Sequence, residues 1–188
     1  MAYAGQVIEN PVSGERFTFR KTAADTGGEL LAFDLDLSED GHTPGLHVHP
    51  VQEERFEVIK GTMRFKLGGR KVDAGPGDVV VVPPGVSHKF ANAGDEEARA
   101  RVEVRPALRM EQLFETAVAL AEEGRTTRKG LPKPLDLALF VREFEREVQG
   151  AFPPVWVQRL TLAPLAWLAR RRSQGGRYLP KPAYAMPE

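Results

Sequence analysis

Cysteine is absent from all 188 residues. Disulfides, thiolate metal sites and cysteine nucleophiles are therefore excluded. Charge of one sign is lacking too: 26 Lys and Arg face 26 Asp and Glu. No global field favours nucleic acid, and no such partner is expected. The opening stretch MAYAGQVIENPVSGERF carries neither a basic cluster nor an apolar run. It does not read as a secretory signal, so a cytoplasmic location is expected. Uninterrupted apolar segments are also scarce. The best candidate, FPPVWVQRLTLAPLAWLA, is broken by Pro153, Pro154, Gln158, Arg159 and Pro164, which argues against a membrane-spanning helix. Histidine is rare, with four in the chain, and three of them fall in one arrangement.

From Gly5 to about Arg105 the chain reads as short strands between turns. β-rich or alternating runs occur at 15–21, 30–37, 46–49, 55–60, 62–67, 70–72, 79–82, 88–91 and 98–105. Turn signals such as Asp40-Gly41, Gly75-Pro76-Gly77 and Pro83-Pro84-Gly85 separate them. Gly68-Gly69 is a two-residue hairpin signal. Many short strands at this spacing predict a sandwich or closed β-barrel. After Pro106 the period lengthens. Met110–Glu123 and Leu135–Val148 read as amphipathic helices joined by a polar connector at 125–134, and Phe152–Ala169 is a third apolar stretch. The expected organisation is a barrel over 1–106 and a helical extension over 107–188 that packs on the barrel or on a dimer partner. Residues 173–188, with Tyr178 and Tyr184, are expected to be irregular.

His47 and His49 form an HxH pair, Glu54 follows, and His88 stands after a Gly/Pro turn. On a strand, residues i and i+2 share a face, so both imidazoles can aim at one point. Imidazole nitrogens with one carboxylate oxygen suit a divalent transition metal. Strand parity puts Glu54, Phe56 and Val58 on one face, which favours Glu54 over Glu53 as the carboxylate. His42 lies outside the pattern and reads as a loop histidine.

Two strings extend the pattern. In the first, Gly41 is followed by five residues, His47, one residue, His49, four residues, Glu54, six residues and Gly61. In the second, Gly77 is followed by five residues, Pro83, one residue, Gly85, two residues, His88, three residues and Asn92. These resemble the two signature motifs of the cupin superfamily, with residues 62–76 as the spacer. The resemblance covers roughly residues 5–106, and HVHPVQEERFEVIKG resembles small bacterial single-domain cupins. It implies a cupin jelly-roll β-barrel, mainly β, holding one divalent transition metal (Fe, Mn, Ni, Co, Zn or Cu) on His47, His49, Glu54 and His88. It names no substrate.

Parity places Phe33, Leu46, Phe56, Met63, Phe65, Val80, Val82 and Phe90 inward. Phe33, Phe56, Met63, Phe65 and Phe90 are the candidate walls of a small-molecule pocket, with substrate set against Phe65 and Phe90. No second acid–base group is evident beside the ligands, which favours metal-centred chemistry, dioxygenase-like oxidation first, over sugar-epimerase-like chemistry. Alternatives are a non-catalytic binding protein and a protein associated with a partner or a membrane surface through its tail. There Trp156, Trp167 and Leu168 would insert, and Arg170–Arg172 would meet anionic headgroups. A small-molecule ligand and a homodimer are the expected partners.

Overall fold

Alternation of side chains decides which strand faces are buried. β1 (Val7–Asn10) and β2 (Glu15–Lys21) form the first hairpin, and β2 turns Glu15, Phe17 and Phe19 inward. β3 (Leu31–Leu37) buries both faces. Its inner face carries Leu31, Phe33, Leu35 and Leu37. Its outer carboxylates, Asp34 and Asp36, are covered by arginines from neighbouring strands: Arg20 and Arg101 reach Asp34, and Arg16 and Arg99 reach Asp36. β4 (His47–Val48), β5 (Glu53–Lys60), β6 (Met63–Leu67), β7 (Arg70–Ala74), β8 (Val79–Val82), β9 (His88–Asn92) and β10 (Ala98–Arg105) complete the strands of the expected barrel region. The computed structural model describes residues 2–171. Arg172 and the tail expected to be irregular, with Tyr178 and Tyr184, lie outside the described residues.

Two antiparallel sheets face each other. One has the order β1-β2-β3-β10-β5-β8. In the other, β4-β9-β6-β7 is extended at the β4 end by β11 (Gln149–Gly150). Aromatic side chains join the sheets: the Phe56 ring sits 5.2 Å from both Phe65 and Phe90. The chain is mainly β, a two-sheet jelly-roll barrel with a helical extension. Gly68 and Gly69 have φ of +53° and +87°, as the type I′ hairpin turn requires. Gly61 adopts φ +72°, and a Cβ there would stand 2.8 Å from the Ala98 Cα.

The extension is built into the barrel. α1 (Met110–Glu122) buries Met110 and Leu113 in the core, and Phe114 stacks on Phe17 with centroids 4.5 Å apart. α2 (Pro134–Glu143) starts on a proline, whose missing N–H costs nothing at a helix N-terminus. It stops five residues short of the expected Val148. Residues 149–150 pair with β4 instead, Gly150 opposite His47. α3 (Val155–Arg171) follows, tied back by Gln158 Nε2, which donates to the carbonyls of Gly150 (2.9 Å) and Pro153 (2.6 Å). No helix among the described residues is long and apolar enough to cross a membrane.

Candidate metal centre

β4 and β9 are antiparallel neighbours with His47 opposite His88. His49 follows β4, and Glu54 comes from β5 of the facing sheet. One ligand atom from each of His47, His49, Glu54 and His88 lies within 4.8 Å of the other three. His49, Glu54 and His88 are buried; His47 is half-buried. Glu53, the neighbouring carboxylate, is exposed. His42 bridges to Ala91, donates its Nδ1–H to the Asp40 carbonyl, and takes no part in the cluster.

Each of the three rings points its Nδ1 at a backbone carbonyl. His47 meets Gly45 at 3.0 Å, His88 meets Val86 at 3.3 Å, and His49 meets Glu147 at 2.5 Å. With a metal bound, Nδ1–H donation to these carbonyls would leave each Nε2 free to act as a ligand. The Glu147 carbonyl belongs to the extension, so the segment after α2 fixes the tautomer of a residue 98 positions earlier.

The inward atoms are crowded and undersupplied with protons. Glu54 Oε2 lies 2.9 Å from His88 Nε2 and 3.5 Å from His49 Nε2. His49 Nε2 is buried without a hydrogen-bond partner. Lone pairs gathered this closely repel unless a proton or a cation sits among them. Burial, reinforced by the neighbouring His88 and His49, pushes the His47 pKa down to about 3. Burial opposes charge on His49 as well, yet the Glu54 carboxylate beside it and the Glu147 carbonyl hold its pKa above the ordinary value. Glu54 also loses solvation, but His49 and His88 keep it well below the usual carboxylate range. The ionised Glu54 carboxylate thus favours positive charge beside it, and a divalent ion fits where such a charge would sit. Three imidazoles and one carboxylate fill four positions and would leave two open on an octahedral ion.

Residues 35–104 match the family model described as a cupin domain. That span runs from β3 to β10 and contains all four cluster residues. Over that span this chain is similar to the cupin superfamily. A curated relative, "Polyketide synthase CurC" of Streptomyces cyaneus, is 32% identical over 65 residues, which are 35% of this chain. The match spans 42% of that relative's length. Similar solved structures include an RmlC-like cupin from Shewanella frigidimarina, with TM-score 0.49 and 19% identity. That alignment covers 59% of this chain and 94% of the other. A predicted oxalate decarboxylase from Thermotoga maritima gives TM-score 0.48 and 21% identity, over 54% of this chain and 90% of the other.

The cluster opens on a cavity of about 470 Å³ lined by His47, His49 and Glu54. Of the expected pocket walls, Phe33, Phe56 and Phe90 line it, as does Leu46. Met63 and Phe65 do not: both are fully buried in the core, where close packing leaves no room for a ligand. Val80 and Val82 are core residues too. The rest of the wall comes from Phe17 of β2, Phe114 of α1, Leu131 of the connector, Phe140 of α2 and Leu162 of α3. The extension is thus the roof of the cavity.

Contrary to the expectation of no second acid–base group, one more titratable side chain shares the cavity with the ligands. Glu15, from β2, lines the same cavity and is buried. Its pKa is pushed up to about 8, first by burial and further by Glu54, against the lowering effect of a hydrogen bond from Ser13. A signal was present in the sequence: alternation puts Glu15 on the same strand face as Phe17 and Phe19.

Proposed function

We propose that this protein is a metal-dependent enzyme that oxidises a small, largely apolar organic molecule with dioxygen, in the manner of a dioxygenase. One observation carries the reading: a His/Glu donor set with spare coordination positions opens directly into a roofed aromatic cavity. Bound on His47, His49, Glu54 and His88, a redox-active ion such as Fe(II) or Mn(II) supplies Lewis acidity and dioxygen activation. Phe17, Phe33, Phe90 and Phe114 would grip an apolar or aromatic body and keep water from it. Dioxygenation places both atoms of one dioxygen in the product, so no outside reductant is required. The likeness to a protein named as a polyketide synthase supports a polyketide-type substrate, and an oxygen-bearing aromatic or β-dicarbonyl compound would suit both the metal and the aromatic walls.

The test is oxygen uptake by protein reconstituted with each of Fe, Mn, Ni, Co, Zn and Cu, over catechols, flavonols, β-diketones and thiols. Stoichiometric uptake with one class, abolished in a His47→Ala/His88→Ala variant, is the expected result. Tight binding without uptake under every metal would overturn the enzymatic reading in favour of a ligand carrier.

A further inference from the structure

The cavity has a second polar corner that the metal ligands leave unexplained. Asn10 and Glu15 are partners across the β1–β2 hairpin, both buried, and both line the cavity. The hairpin uses only part of each side chain. Asn10 Oδ1 accepts from the backbone N–H groups of Val12 (3.0 Å) and Ser13 (3.1 Å). Glu15 Oε2 accepts from Ser13 Oγ at 2.7 Å. Among the described residues no group hydrogen-bonds Asn10 Nδ2 or Glu15 Oε1. Neither atom is among the sealed, partnerless ones, and both residues line the cavity.

A carboxyl in this place is costly to ionise. The titratable residues facing the cavity are Glu15 on β2, His47 and His49 from the β4 segment, and Glu54 on β5. Neither the helices nor the connector adds a lysine, arginine or tyrosine to the lining. Without a cationic partner, a buried carboxyl keeps its proton and becomes a hydrogen-bond donor. Capping Ser13 needs only an acceptor, which a neutral side chain would supply.

We propose that Glu15 is a substrate-binding acid whose carboxyl donates a hydrogen bond to one oxygen of a catecholate, enolate or β-dicarbonyl, with Asn10 Nδ2 donating beside it, while a second oxygen of the same molecule reaches the metal centre. This rests on the metal-centre reading. Substrate would then be held at two ends of one apolar chamber, by the metal ligands and by the hairpin corner. A monodentate or purely hydrocarbon molecule would meet only one end.

The probe is 4-nitrocatechol, whose absorption reports its ionisation, titrated into the zinc-loaded full chain. Glu15→Leu is expected to weaken binding about tenfold, the worth of one buried hydrogen bond to a charged acceptor, with zinc stoichiometry unchanged. Glu15→Gln keeps a donor and should stay within about threefold of wild type near neutral pH. From about pH 7 to about pH 9 the wild-type to Glu15→Gln affinity ratio should fall about tenfold as the carboxyl ionises. Titration of the histidines, Glu54 and the probe is common to both proteins and cancels in that ratio. Equal affinity of Glu15→Leu and wild type, or a ratio flat with pH, would overturn the proposal. Zinc binding without any nitrocatechol binding would overturn it while leaving the metal centre standing. Failure of zinc to bind would overturn both.

Discussion

Replacing Glu15 by Gln should change how the fold responds to pH, and the size of the effect follows from where the residue sits. Its carboxyl holds its proton up to about pH 8 in the native state, against an ordinary value of 4.5. A group whose folded pKa is raised in this way binds more protons folded than unfolded. Native stability is then full below about pH 4.5 and falls as pH rises, until the carboxyl ionises in the folded protein near pH 8. Each pH unit in that window is worth about 1.4 kcal/mol, so wild type surrenders about 3 kcal/mol by pH 7. Glutamine has nearly the same shape, can still accept from Ser13, and does not titrate. Urea midpoints of the two proteins should therefore diverge with rising pH, with Glu15→Gln gaining about 3 kcal/mol on wild type between pH 4.5 and pH 7. In melting temperature that is about 6–12 °C for a chain of this length. A bound divalent ion would offset the Glu54 contribution, the smallest of the three influences, so divergence should persist with zinc present. A gap that stays within about 0.5 kcal/mol across the window would refute the reasoning, because a solvated or cation-paired carboxyl would behave that way.

Metal uptake should release protons, increasingly so as pH falls, because Glu54 and the Glu147 carbonyl hold the His49 pKa above its ordinary value and the ring must give up its proton to become a ligand. Titration calorimetry in buffers of different ionisation enthalpy measures the release, and a value that stays near zero would contradict the raised pKa. We propose that the chain is a homodimer through the outer face of edge strand β8. There Val79 and Val81 stand exposed beside Ile59 of β5, an apolar edge of the kind that pairing with a second copy covers. Val81→Lys should halve the mass seen by light scattering, and an unchanged mass would remove that interface. Trp156, Leu160 and Trp167 stand on the outside of α3, while other residues of the extension roof the cavity. Phosphatidylserine vesicles should leave the chain in the supernatant, whereas pelleting that Trp156→Ser/Trp167→Ser abolishes would establish a membrane-surface role.

The strands of the barrel and the four-residue cluster were legible in the sequence because both depend on spacing. Alternation marked the inner faces. The two spaced strings gave His47, His49 and His88, and parity separated Glu54 from Glu53. What spacing cannot express is depth. Met63 and Phe65 point inward like Phe56 and Phe90, but parity does not say how far along the barrel a side chain lies, and these two fall in the packed core. Nor can a local period see a distant strand edge. Residues 144–148 continue a helical pattern, yet the free edge of β4 and the His49 Nδ1–H both need partners, and the Gln149–Gly150 strand and the Glu147 carbonyl supply them. The roof residues Phe17 and Phe114 were missed for the same reason: they meet only once α1 lies against the first hairpin. Glu15 was readable from its place among phenylalanines, since a carboxylate on an apolar strand face needs either a partner or a task.

The central claim is that His47, His49, Glu54 and His88 hold one transition metal ion. Elemental analysis of the full chain, purified without added metal and compared with His47→Ala/His88→Ala, tests it most directly. The account predicts close to one ion per wild-type chain and none in the double variant. Adding the metal back at about a hundred times its Kd should stabilise wild type alone, by about 2.7 kcal/mol. Metal-free wild type whose thermal stability is indifferent to every ion tried, or a double variant that retains a full equivalent, would contradict it.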